Sequence, residues 1–132
     1  MKRRHFVNGL TGLLLVGMVS AAWSAWRYEP GMIEKELAAG KTVLVDYYAD
    51  WCSVCATQKR VIARLRTENP AYDDKIMFIK VDWDEFATHE VATSRNIPRR
   101  STLILLRGDQ ELGRVVGGTG KEELKALLDK AL

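Results

Sequence analysis

Apolar positions along this chain switch between two periods. Thr42 to Tyr48 reads TVLVDYY, a run of β-branched, aliphatic and aromatic residues interrupted only by Asp46. Apolar residues at successive rather than alternate positions predict a strand covered on both faces. Ile76 to Val81 reads the same way, and Trp26-Arg27-Tyr28 is a short candidate for a first strand. Between these runs the spacing turns helical. Pro30-Gly31 opens a short helix with Met32, Ile33 and Leu37 on its inner side, closed by Gly40. Cys52 to about Arg66 predicts a longer one, with Val54, Val61, Ile62 and Leu65 near one face. Lys59, Arg60, Arg64 and Arg66 gather toward its carboxyl end, where the helix dipole favours cations.

Another helix is predicted over about Asp84 to Arg95. Thr102 to Leu106 and Glu111 to Val116 flank Gly108-Asp109 as an antiparallel hairpin. In the last segment Thr119 and Glu122 form a capping-box pair. Leu124, Leu127, Leu128, Ala131 and Leu132 then fall on one helical face. Strand–helix alternation followed by a hairpin and a closing helix predicts an α/β fold, a mixed central sheet flanked by helices.

Composition narrows the function. The 132 residues, 47% hydrophobic, suit one domain and exclude a disordered chain. The net charge is +3, but Lys2, Arg3 and Arg4 carry all of that excess, leaving 17 basic against 17 acidic residues. A neutral remainder argues against a nucleic-acid groove or a polybasic membrane surface.

Those three cations belong to an amino-terminal pattern: a basic start, an apolar stretch from Leu10 to about Ala22, then small residues. The pattern is that of a secretory signal spanning residues 1–24, with cleavage after Ser24 or after Ala22. Arg3-Arg4 followed by Phe6 resembles a twin-arginine export motif. The alternatives are an uncleaved anchor from about Gly9 to Trp26 and a buried core helix. Either the signal or the anchor places residues 26–132 in the periplasm or another extracytoplasmic space.

The two cysteines stand three positions apart, Cys52-Ser53-Val54-Cys55, directly after a buried strand and at the start of a helix. Free N–H groups at that helix end favour a thiolate on Cys52 and draw its pKa down from about 8.5 toward neutral. Cys55, one turn deeper, is placed to attack a mixed disulfide formed at Cys52. A zinc or iron–sulfur site would need four ligands, and beyond the leader only His89 could add a nitrogen or sulfur. A purely structural disulfide closing so short a loop would constrain the chain weakly. Neither a metal nor a bound cofactor is expected.

Asp46 through Cys55 resembles the active-site segment of the thioredoxin family. Tyr48-Ala49-Asp50-Trp51-Cys52 is especially similar to the periplasmic C-terminal domain of membrane thiol:disulfide interchange proteins. Asp46 stands six places before the first cysteine, where thioredoxins carry an acidic residue, and Lys80 matches the family's strand lysine. The likeness runs over about residues 26 to 132 and implies the thioredoxin fold. It assigns Asp46 to proton transfer with the second thiol and Lys80 to balancing its charge. Asp46 could instead serve only neighbouring backbone or lysine groups. Trp51 would cover the rim of the site, and His89 would be exposed.

One position departs from the family. Thioredoxins place a cis-proline immediately before the Thr-Leu that opens the hairpin strand; here that position is Ser101, after Arg99-Arg100, with Pro98 three residues upstream. Either Pro98 takes the proline's part or Ser101 replaces it. A cis bond before serine is costly, so the Arg100–Ser101 peptide is expected to be trans, or cis only under strain. Its hydroxyl would then face Cys52, with Arg99 and Arg100 adding positive charge and suiting an acidic client surface.

The resulting expectation is an extracytoplasmic thiol:disulfide oxidoreductase, a reductase of protein disulfides. Cys52, Cys55, Asp46 and Lys80 carry the chemistry, and Trp51, Arg100 and Ser101 meet the substrate. Its partners would be client proteins with disulfides and a membrane redox donor, with no nucleic acid, and the chain would be a monomer. A dedicated thiol assembly factor for one client, such as a cytochrome c or a metalloenzyme, is the alternative. A redox-inert binding module is a third.

Overall fold

The computed structural model describes residues 24–132. The proposed leader therefore lies outside the described residues, apart from Ser24. In chain order the elements are β1 (Trp26–Arg27), α1 (Met32–Ala38), β2 (Thr42–Tyr48), α2 (Ser53–Glu68), α3 (Ala71–Lys75) and β3 (Ile76–Asp82). They continue with α4 (Trp83–Phe86), α5 (Glu90–Thr93), β4 (Thr102–Arg107), β5 (Gln110–Val116) and α6 (Lys121–Asp129). The sheet order is β1-β3-β2-β4-β5, parallel on the β1 side and antiparallel from β4 onward. This is the mixed sheet flanked by helices that the alternation predicts.

β2 is central and covered on both faces, which explains apolar residues at successive positions on either side of Asp46. Successive side chains point to opposite faces. Leu44 joins Ile62 and Leu65 of α2, Phe78 of β3 and Leu124 and Leu128 of α6 in one core. Val43, Val45 and Tyr47 join Ile33 of α1, Phe86, Val91 and Ile104 in the other. Asp46 follows Leu44's parity and so faces α2. That parity decides where the carboxylate goes.

Several expectations need correcting. The predicted helix from Asp84 to Arg95 is two short helices, with His89 extended between them as the cap of α5. Phe86 and Val91 are both buried. Five positions apart on one continuous helix, they would point about 140° away from each other. Breaking the helix lets both reach the same core. α3 was not anticipated; its five residues bury only Tyr72, too few turns for periodicity to register. The capping box of Thr119 and Glu122 does not form: Gly120 is the cap, without a side-chain hydrogen bond, and the helix starts one residue too late for the pairing. Leu132 lies 55% exposed beyond the last turn instead of on the inner face. On α2, Ile62 and Leu65 are buried, but Val54 and Val61 are only half-buried.

Candidate active site

α2 begins where β2 ends, so strand and helix deliver the cysteines to the carboxyl end of the central strand. Cys52 is the cap of α2 in extended conformation, and its Sγ accepts the backbone N–H of Cys55 at 3.2 Å. Cys55, Gln58 and Ile62 follow at three- and four-residue spacing and form a buried stripe on that helix. The two cysteines are joined as a disulfide with Cα atoms 5.3 Å apart, and both are almost fully buried. The N–H at a helix start is the feature that favours a thiolate once the bond opens.

Asp46 lies on β2 directly across from Lys80 on β3. It shares with Lys80, Lys59, Cys52 and Cys55 the wall of a cavity of about 210 Å³. Asp46 Oδ1 is buried with no hydrogen-bond partner among the described residues. Burial pushes the carboxyl up from 3.8 to about 7, against the opposing pull of Lys59 and then Lys80. Lys80 was the expected balancing cation; Lys59 is the stronger one. The sequence held a signal for it, because Lys59 stands four residues after Cys55 and so returns toward the same side of the helix.

Ser101, not Pro98, sits at the sulfurs. Pro98 is exposed, whereas Ser101 is fully buried with its Oγ 3.2 Å from Cys52 Sγ and 3.1 Å from Cys55 Sγ. The sulfurs of a disulfide carry no proton, so the hydroxyl is the donor in whichever contact is made. There are no cis peptide bonds among the described residues. Ser101 instead takes φ 63°, in the left-handed region that a side chain rarely occupies. Its N–H donates to the Tyr47 carbonyl at 2.8 Å, turning inward to the sheet.

The rim is built by Trp51, which is 62% exposed. Its indole N–H donates to Asp84 at 2.8 Å, and the Arg100 guanidinium lies 4.2 Å from the ring centroid. The indole is thereby held at its edge by a carboxylate and on one face by a guanidinium. Asp84 was not singled out from the sequence, where it reads as one acidic residue of a helix start. His89 is exposed, as expected. Gln58 was missed for a similar reason: a glutamine before Lys59 and Arg60 reads as a solvated face, yet it is fully buried.

Comparison with known proteins agrees with this geometry. The family model described as Thioredoxin matches residues 28–130. The chain is 35% identical over 100 residues to the mitochondrial thioredoxin-2 of Schizosaccharomyces pombe, covering 76% of this chain and 70% of that protein. It is 34% identical over 90 residues to thioredoxin 1 of a Nostoc species, covering 68% and 79%. Among solved structures, Trxlp of Edwardsiella tarda superimposes with a TM-score of 0.66 at 33% identity, covering 82% of this chain and 98% of that one.

Proposed function

Since the chain belongs to the thioredoxin family, and is a thiol:disulfide oxidoreductase with a Cys52–Cys55 pair that acts on disulfide-containing proteins, we propose that it works as a reductase outside the cytoplasm. The observation that carries the exchange chemistry is the grouping of Cys52 at a helix start, Cys55 one turn deeper and the buried Asp46 around one cavity. The likeness to the interchange domains supports the reductase direction. The Cys52 thiolate attacks one sulfur of a client disulfide, forming a mixed disulfide and releasing the other client sulfur as a thiolate. Asp46 accepts the Cys55 proton. The Cys55 thiolate then attacks Cys52 Sγ, the bond to the client breaks, and its electron pair leaves on the client sulfur. The client gains two electrons and the protein is left as the Cys52–Cys55 disulfide.

Asp46 suits that proton because a carboxyl that titrates at about 7 can both take and return it near neutral pH. Lys59 and Lys80 keep it from rising further. The Ser101 hydroxyl stabilises the thiolates by donating to them. Trp51 and Arg100 meet the client, the guanidinium favouring an acidic side chain beside the client's disulfide. The basic, apolar amino-terminal pattern supports export or anchoring. The likeness of Tyr48 to Cys52 to the periplasmic interchange domains supports a membrane donor that returns electrons to the Cys52–Cys55 pair.

A second reading, a dedicated assembly factor for one client, is favoured by Ser101. In place of the cis-proline there is a trans serine whose N–H is already given to Tyr47. A client strand would find a different edge there from the one other thioredoxins offer. Insulin reduction with dithiothreitol separates the two. Rapid turnover supports a general reductase; near silence, with the dithiol still chemically competent, supports the dedicated factor.

A further inference from the structure

We propose that Gln58 is a positioning residue for the redox pair: it locks Ser101 in the left-handed conformation that holds one hydroxyl against both sulfurs. The inference rests on the reading that the Ser101 hydroxyl stabilises the thiolates.

Gln58 is fully buried on α2, one turn beyond Cys55. Its Nε2 donates to the Ser101 carbonyl at 3.0 Å and to the Gly118 carbonyl at 2.9 Å. Both neighbours can only accept, so the amide has one orientation, with both protons committed. Its Oε1 has no hydrogen-bond partner among the described residues. A buried amide that satisfies two carbonyls and leaves its own oxygen unmatched is an expensive way to fill space on a helix, where a leucine would pack.

What the amide holds explains the expense. Serine at φ 63° is strained and persists only where its surroundings fix it. Three hydrogen bonds do so. The N–H is given to Tyr47 O at 2.8 Å, and the carbonyl accepts from Gly117 N at 2.8 Å and from Gln58. The first two come from the sheet and the hairpin. Only the third comes from α2, the helix that carries the cysteines. Gln58 is thus the tie that sets the distance between the hydroxyl and the sulfurs.

The hydroxyl has one proton and two sulfurs at nearly equal distance. When a donor thiolate attacks Cys52 Sγ, the Cys52–Cys55 bond breaks and its electron pair goes to Cys55, where the hydroxyl can meet it. Attack by the donor's second thiolate on its own sulfur in the mixed disulfide then releases Cys52 as a thiolate. A small rotation of the same hydroxyl serves that atom. An ionised sulfur is a far better acceptor than a disulfide sulfur, so the arrangement favours the reduced protein and lowers its reducing power by the tenfold read below, about 30 mV. It is a substitute for the proline: a tethered hydroxyl in place of a rigid ring.

The test is a double-mutant cycle on the full chain, using Gln58→Met, Ser101→Ala and the pair. Two quantities are read in each protein: the equilibrium constant against glutathione and the thiolate absorbance titration. Ser101→Ala should shift the equilibrium about tenfold toward the disulfide and move the thiolate titration to higher pH. Gln58→Met should do the same by about fivefold, and should add less than twofold in the Ser101→Ala background. A structural role alone would lower the melting temperature without this dependence on the hydroxyl. If Gln58→Met does not fold, Gln58→Asn keeps the amide on a shorter stem and is read identically. An unchanged equilibrium in Ser101→Ala removes the underlying reading of Ser101, and the inference with it. An effect of Gln58→Met equal in both backgrounds, or none in either, overturns the inference while leaving the serine's role standing.

Discussion

Asn at position 46 would keep the shape of the side chain and remove its charge, and the structure sets the size of the effect. Burial holds the Asp46 carboxyl at about 7 instead of 3.8, with the attraction of Lys59 and Lys80 already included. At about 1.4 kcal/mol for each tenfold change in proton affinity, the ionised carboxylate costs the fold about 4 kcal/mol. The sign follows from the direction. A carboxyl whose folded value is raised binds its proton more tightly when folded, so its stability contribution is complete below 3.8 and is lost as pH rises through about 7. Asp46→Asn should therefore be more stable than the parent, by about 1–2 kcal/mol at pH 5 and about 4 kcal/mol at pH 8. Urea unfolding of the oxidised proteins at half-unit steps from pH 5 to 8 measures this directly. The same variant should turn over more slowly, because the proton acceptor is gone. Parallel stability profiles, with a constant gap between the two proteins, would show that Asp46 is not the buried titrating group described above.

Lys59→Met should move the Asp46 titration upward by more than Lys80→Met does, as followed by the pH dependence of Cys55 reactivity; the reverse order would return the main balancing charge to Lys80. Cys55→Ser should leave Cys52 able to attack but unable to release its client, so covalent partners should accumulate. Their absence after non-reducing capture from the native compartment would remove the exchange mechanism. Ser101→Pro cannot keep φ 63° or the N–H bond to Tyr47, and should cost about 3 kcal/mol or more in urea unfolding. An unchanged midpoint would mean that the turn re-forms around a proline without penalty.

The sheet and the cysteine site were legible because their signals are local and strong. A seven-residue apolar strand, a helix opening on Cys52 and a hairpin around Gly108-Asp109 each carry their own pattern. Gly108 has φ 58°, the turn conformation that glycine supplies. The break at His89 was not legible, because Trp83 to Thr93 has helical composition throughout and only the shared core under Phe86 and Val91 interrupts it. The same holds for Gln58. Nothing in its neighbours says that it is buried; that depends on Ser101 and Gly118, 43 and 60 positions away. Lys59 lies between these cases: helical spacing brings it near Cys55, but its influence on Asp46 needs the β2–α2 packing. The departure at Ser101 could be located from the sequence, whereas its left-handed backbone and its contact with both sulfurs required the tertiary structure.

The Cys52–Cys55 equilibrium tests the reductase reading most directly. The full chain is equilibrated in dithiothreitol and glutathione buffers of graded potential, quenched by acid, and its free thiols counted by alkylation and intact mass. A single reversible two-electron transition is expected, nearer to the thioredoxin value of about −270 mV than to the strong periplasmic oxidant near about −120 mV. A transition above about −170 mV would contradict a reductase, and thiols that never exchange with the buffer would contradict the disulfide chemistry itself.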